Sequence, residues 1–162
     1  MAEMIDILED GHVNLYAPFD VSSCTGWFDS YPADYNADFL YNHFDSDLRA
    51  AGGFAYTTID NGKVGYIRYS SFSDGFTTAN LAYIDAYFHQ LHKVKGIVID
   101  VRNNGGGSLS YSEKLAACFF KEKTTTGYMQ HKTGTCHDCF SDTTPIITDP
   151  KDAPIDWSDK KV

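Results

Sequence analysis

The chain has 162 residues, 13 Lys and Arg against 22 Asp and Glu for a formal charge of −9, 43% hydrophobic residues, and 11 Tyr, 11 Phe and 2 Trp. Such a composition fills one globular core and excludes an intrinsically disordered chain. The negative balance, with no run of bases longer than Lys160-Lys161, argues against nucleic acid and anionic lipid as partners. No window approaches the roughly eighteen consecutive apolar residues of a membrane span.

Met1, Met4, Ile5 and Leu8 recur at helical spacing up to Asp10-Gly11, a glycine stop. The same stretch carries Glu3, Asp6, Glu9 and Asp10 with no base, unlike a secretory leader, so any leader is expected to have been removed. Val13, Leu15, Ala17 and Phe19 then alternate with polar or aromatic neighbours as a strand does, which sets His12 at a helix-to-strand corner. Residues 20–34 read as a loop that ends on Asp34 as a cap. The stripe Ala37, Leu40, Tyr41, Phe44 and Leu48 predicts a helix over 35–51, closed by Gly52-Gly53. Runs at 54–60 and 63–69 flank Asn61-Gly62, the strongest hairpin signal in the chain.

Leu81, Ile84, Phe88 and Leu91 predict a helix capped by Thr77 or Thr78, and Gly96 to Val101 reads as a fully buried strand. A helix over about 110–120 and a strand over about 124–131 follow, and the last thirty residues look loop-like. Strand-helix-strand alternation implies an α/β fold with a parallel or mixed sheet. The expected organisation is an N-terminal segment over 1–53 and an α/β core over 54–162.

The chemistry concentrates in Asp100-Val101-Arg102-Asn103-Asn104-Gly105-Gly106-Gly107, where the buried strand ends and a helix is about to begin. Glycines there let backbone N–H groups converge on a negative oxygen, as in a phosphate cradle or an oxyanion hole, or they serve only a tight turn. Nucleotide fingerprints fail: no Gly-Lys-Ser/Thr follows, and the G-x-G-x-x position falls on Ser110. Asp100, Arg102, Asn104, Gly106 and Gly107 match a D-x-R-x-N-x-G-G signature. Upstream lie Gly65-Tyr66-Ile67-Arg68-Tyr69-Ser70-Ser71-Phe72 and Leu8-Glu9-Asp10-Gly11-His12-Val13. On these residues the chain resembles family S41, the tail-specific or carboxy-terminal processing peptidases with their tricorn-like branch, over about residues 5–120.

The resemblance implies a ClpP/crotonase-like core and serine-type peptidase chemistry on protein or peptide substrates, without a cofactor. It implies His12 as general base, the Gly106 N–H as oxyanion donor, and Gly105, Gly107, Asp100, Arg102 and Asn104 as substrate-binding residues or loop support. The family's later Gly-Ser/Thr-x-Ser-Ala/Ser-x-Glu segment is not found after residue 120, and the similar stretch at 107–113 starts on the oxyanion loop itself. The expectation is therefore a piece incomplete at both ends, inactive alone, with its nucleophile beyond Val162. No lysine can be placed on a Ser/Lys dyad, and 20–60 is too short for a PDZ-like insert. The alternative is a non-catalytic binding module of the same fold for a peptide or apolar ligand. The family also implies an extracytoplasmic bacterial location.

Cys136-His137-Asp138-Cys139 supplies half of a tetrahedral zinc set, but no second pair exists apart from Cys24 and His131, so no metal is expected and the two cysteines are free or joined to each other. His89 and His92 mark a solvated helix end. Tyr83 and Tyr87 read as packing residues, and residues 142–157 as a covering loop.

Overall fold

Asn61 and Gly62 take φ of +53° and +81°, and the Lys63 N–H donates to Asp60 O at 3.2 Å, the reversal expected of an Asn-Gly turn. Around it the computed structural model, which describes residues 2–8, 10, 12–18, 20–23, 35–44, 47–73 and 75–162, forms two compact units, Met1–Asn36 and Ala37–Val162. The expected Gly11 stop, Asp34 cap and Cys24 lie outside the described residues.

In the first unit α1 (Ala2–Asp6) buries Ile5, whereas Met4 and Leu8 of the same stripe are exposed. Strand β1 (Asn14–Ala17) pairs antiparallel with β2 (Asp20–Ser23), Asn14 opposite Ser23 and Ala17 opposite Asp20. The expected loop thus begins as a strand. Asp20-Val21-Ser22-Ser23 lacks apolar alternation because backbone pairing holds it.

In the second unit α2 (Ala37–Phe44) buries Leu40 and sets the Phe44 ring 4.8 Å from that of Tyr66. The helix expected to run to residue 51 stops at Phe44. Arg49–Ala51 is instead β3, antiparallel to β4 (Phe54–Ile59), with Ala51 opposite Phe54 and Gly52-Gly53 forming the reversal. The glycine pair that resembles a helix stop is a hairpin turn, and the stretch 37–51 belongs with the sheet of the second unit.

Strand β5 (Val64–Tyr69) is antiparallel to β4 and parallel to β6 (Gly96–Asp100), so the four-stranded sheet β3-β4-β5-β6 is mixed. The crossover is α3 (Thr78–Ala86), capped by Thr77 Oγ1, which accepts from Asn80 N at 3.2 Å. The helix widens into a π-helical turn over Tyr87–His92 and closes on left-handed Lys93. Leu81, Ile84 and Phe88 meet Phe54, Ile67, Tyr69, Ile97 and Trp157 in the core.

Three expectations differ here. Strand β6 is not buried on both faces: Ile97 is in the core, but Val98 is 45% exposed, because α3 covers only one side of it. Tyr83 is 68% exposed on the outer face of α3, while Tyr87 does pack, its ring 5.4 Å from that of Tyr56. The last thirty residues are not all loop. After α4 (Leu109–Ala117), β7 (Thr124–Met129) pairs antiparallel with β8 (Thr144–Thr148), a strand whose outward residues and Pro145 disguise it. A 3-10 turn (Pro150–Asp152) then leads to Trp157, fully buried, whose Nε1 donates to Asp85 Oδ1 at 2.7 Å.

Candidate active site

The parallel step from β5 to β6 sets Arg68 opposite Asp100 and Tyr66 opposite Val98, so Tyr66 and Asp100 share one face of the sheet. Asp100 is 5% exposed at the strand's end, and its carboxylate is fully engaged. Oδ1 accepts from the Arg102 backbone N–H and Nε, both at 3.0 Å, while Oδ2 accepts from Arg102 Nη2 at 2.7 Å and the Tyr66 hydroxyl at 2.5 Å. The forked guanidinium holds the Asp100 carboxyl well below the usual carboxylate range, with the Tyr66 hydrogen bond adding to it against burial. Burial, and then the neighbouring carboxylate, push the Tyr66 hydroxyl above its ordinary range.

This buried anchor fixes where the chain leaves β6. Asn104 then spans the turn: its Nδ2 donates to Tyr69 O and its Oδ1 accepts from the Gly106 N–H, each at 2.7 Å. Residues 70–72 continue past β5 as a wall along the loop. The Gly105 N–H donates to Ser70 O at 3.1 Å, the Phe72 N–H to Gly106 O at 2.7 Å, and the Ser108 N–H to Phe72 O at 2.9 Å. Ser71 Oγ reaches Ser73 Oγ at 2.9 Å and Gly106 O at 3.4 Å.

The three glycines are not equivalent. Gly107, at φ +132°, lies so close to the wall that a Cβ there would sit 2.5 Å from Phe72 C and O, whereas a Cβ at Gly105 would meet nothing within 4 Å. The bridge between Phe72 and Gly107 aims Gly106 O and the Ser108 N–H at the wall, so the Gly107 N–H points away from it. Among the described residues that N–H makes no hydrogen bond. It lies one residue before Ser108, the N-cap residue of α4, at the positive end of that helix.

His12 stands in the first unit, its side chain 98% exposed. Asp10 Oδ1 accepts from the His12 backbone N–H at 2.9 Å and lies 3.1 Å from its Nδ1. Those two hydrogen bonds lower the Asp10 carboxyl. With Nδ1 turned to Asp10, Nε2 is the nitrogen left to take a proton.

The second unit thus gathers Asp100, Arg102, Asn104, Gly105, Gly106 and Gly107 into one loop. It also gives a part in the site to Tyr66 and the 70–72 wall, which the sequence offers only as flanking residues of the resemblance. Tyr66 was accessible in principle, since it recurs two positions before Arg68 on the face that parallel pairing turns toward Asp100. Elsewhere, Cys136 and Cys139 are joined as a disulfide, with Cα atoms 5.3 Å apart.

Peptidase family S41 matches residues 63–154, more than half of the chain. A crystal structure of a candidate peptidase from Parabacteroides merdae ATCC 43184 superposes with a TM-score of 0.80 at 37% identity, covering 96% of this chain and 48% of that one. The chain therefore spans about half the length of that protein. No curated protein matches. Among the described residues no helix is long and apolar enough to cross a membrane.

Proposed function

Because the chain belongs to peptidase family S41 and has the mixed α/β architecture of a ClpP/crotonase-like core, we propose that it supplies the oxyanion loop and general base of a serine-type peptidase. The substrates are proteins or peptides, with C-terminal processing as the form of cleavage the resemblance implies. The observation that carries this reading is the anchored loop with its outward Gly107 N–H. In the reaction a serine Oγ attacks the peptide carbonyl carbon, His12 Nε2 takes the serine proton and later returns it to the leaving amine, and the loop holds the carbonyl oxygen as it becomes negative. Gly107 offers a ready donor. Gly106 joins it by exchanging Asn104 Oδ1 for the oxyanion.

The reading places the nucleophile outside these 162 residues. The chain at Lys161 already runs parallel to β6, with the Ile97 N–H donating to Lys161 O at 2.7 Å and a bridge between Gly96 and Lys161. A continuation along that line would draw level with Asp100 about four residues later, beside the glycine loop. The family resemblance and the Cys136–Cys139 disulfide support an extracytoplasmic location.

The test uses the full gene product, with all coding sequence on either side of these residues. A fluorophosphonate should label one serine in the part that follows Val162, and His12→Ala should lower peptide hydrolysis about 10²- to 10⁴-fold while leaving the circular dichroism unchanged. If neither labelling nor hydrolysis occurs, the binding-module reading takes over. One observation favours that second reading: Asn104 already closes the Gly106 N–H, as a loop that never receives an oxyanion would keep it.

A further inference from the structure

We propose that Cys136 and Cys139 form a thiol–disulfide exchange site for a dithiol partner, set at the tip of the β7–β8 ribbon. The turn that carries them is held without the sulfur bond. The Thr133 N–H donates to Cys139 O at 3.0 Å, the Ser141 N–H to His131 O at 2.9 Å, and Lys132 bridges to Phe140 as the ladder's last step. The Lys132 ammonium donates to Cys136 O at 2.7 Å and His137 O at 2.5 Å, and lies 4.4 Å from the centre of the Phe140 ring. A disulfide that encloses only His137 and Asp138 removes little freedom from the unfolded chain, since the gain from cross-linking grows with loop length. Its contribution as a staple is therefore small.

Its chemistry is favourable. Residues 131–138 are all exposed, Cys139 is half-buried, and no side chain stands at Gly134, where a Cβ would lie 3.4 Å from Cys139 Sγ. Lys132 places a full positive charge on the carbonyls of the small ring, and the exposed His137 adds a second when protonated; the Asp138 carboxylate, 3.8 Å from His137 Nε2, opposes them in part. Nearby ammonium and imidazolium groups stabilise a thiolate, and so the leaving sulfur of an exchange. The third described cysteine, Cys118, is the contrast: buried against the core, its thiol pushed up to about 11 by desolvation.

In the exchange a thiolate of the dithiol attacks Sγ of Cys136, the more exposed residue of the pair. The Cys136–Cys139 bond breaks and Cys139 leaves as a thiolate. The partner's second thiol then attacks its own sulfur in the mixed disulfide, releasing the Cys136 thiolate. The dithiol ends as a disulfide, and its two protons pass to the two cysteines. Two electrons have moved, and no other co-reactant is needed.

The test treats the native chain with dithiothreitol, blocks free thiols with N-ethylmaleimide, and maps the tryptic peptide that begins at Thr133 and ends at Lys151. Two blocked thiols on that peptide, an unmodified Cys118, unchanged circular dichroism and reclosure by oxidised glutathione are expected. Lys132→Met should slow reduction at neutral pH several-fold. Blocking that appears only after urea is added, or a melting temperature that falls by many degrees in C136S/C139S, would identify a structural staple and overturn the proposal. A pair that stays reduced in air overturns it as well.

Discussion

Two exposed loops of the second unit are tied down in opposite ways. The loop at 101–107 is fixed from beneath, by a buried carboxylate that holds Arg102 and Tyr66 and by backbone bonds to the 70–72 wall. The loop at 130–141 is fixed from within, by Lys132, its own carbonyls and a disulfide that spans two residues. A loop anchored to the core inherits the core's precision, as the proposed oxyanion role requires. A self-tied tip can open without disturbing the fold, which suits exchange chemistry. If the contrast holds, substitutions in the first loop should cost stability where those in the second do not.

The largest effect is expected at Gly107. A Cβ there meets the Phe72 backbone, and its φ of +132° is one that side chains rarely adopt. Gly107→Ala should cost on the order of 3 kcal/mol, read from the urea midpoint, and strip activity from the full gene product. A midpoint equal to that of the parent would show that the wall does not hold the loop. Next is Asp100→Asn, which weakens the forked pairing at the strand's end and should cost about 2 kcal/mol. Since the folded state holds the Asp100 carboxyl below its ordinary 3.8, its contribution is present above about pH 4 and is lost as pH falls below it. Acid titration of the parent should therefore show a steeper loss than that of Asp100→Asn.

Tyr66→Phe removes one hydrogen bond to the same carboxylate and should cost about 1 kcal/mol. Gly105→Ala, which meets nothing within 4 Å, should stay within about 0.5 kcal/mol of the parent. A large loss at Gly105 would mean that something approaches the loop closely there, as a substrate or a further segment of the protein would.

Much of this was legible in the sequence wherever the signal is local. The Asn61-Gly62 reversal, the Thr77 cap, the strand-helix-strand order and the glycine loop all announce themselves within a few residues. Gly52-Gly53 misled because a helix stop and a tight hairpin ask for the same residue. Strand β8 escaped because Thr144-Pro145-Ile146-Ile147-Thr148 has no clean alternation. The 65–72 stretch stands out in the sequence, but the part Tyr66 and the 70–72 wall play in the site does not, because it depends on parallel register across some thirty residues, which no local pattern records. Trp157 lies in a stretch whose sequence resembles a covering loop, but its indole fills the core.

That tryptophan has a consequence for how the protein comes off the ribosome. Its ring lies against Phe88 and Phe119, its backbone N–H donates to Cys118 O at 2.7 Å, and the chain four residues later reaches the edge of β6. The core between α3 and the sheet can be collapsed by residues made much earlier, yet it cannot close until residues 153–161 have left the exit tunnel. During synthesis the apolar face of α3 stays open to chaperones and to neighbouring nascent chains. Interrupting translation just before Trp157 should leave that face exposed.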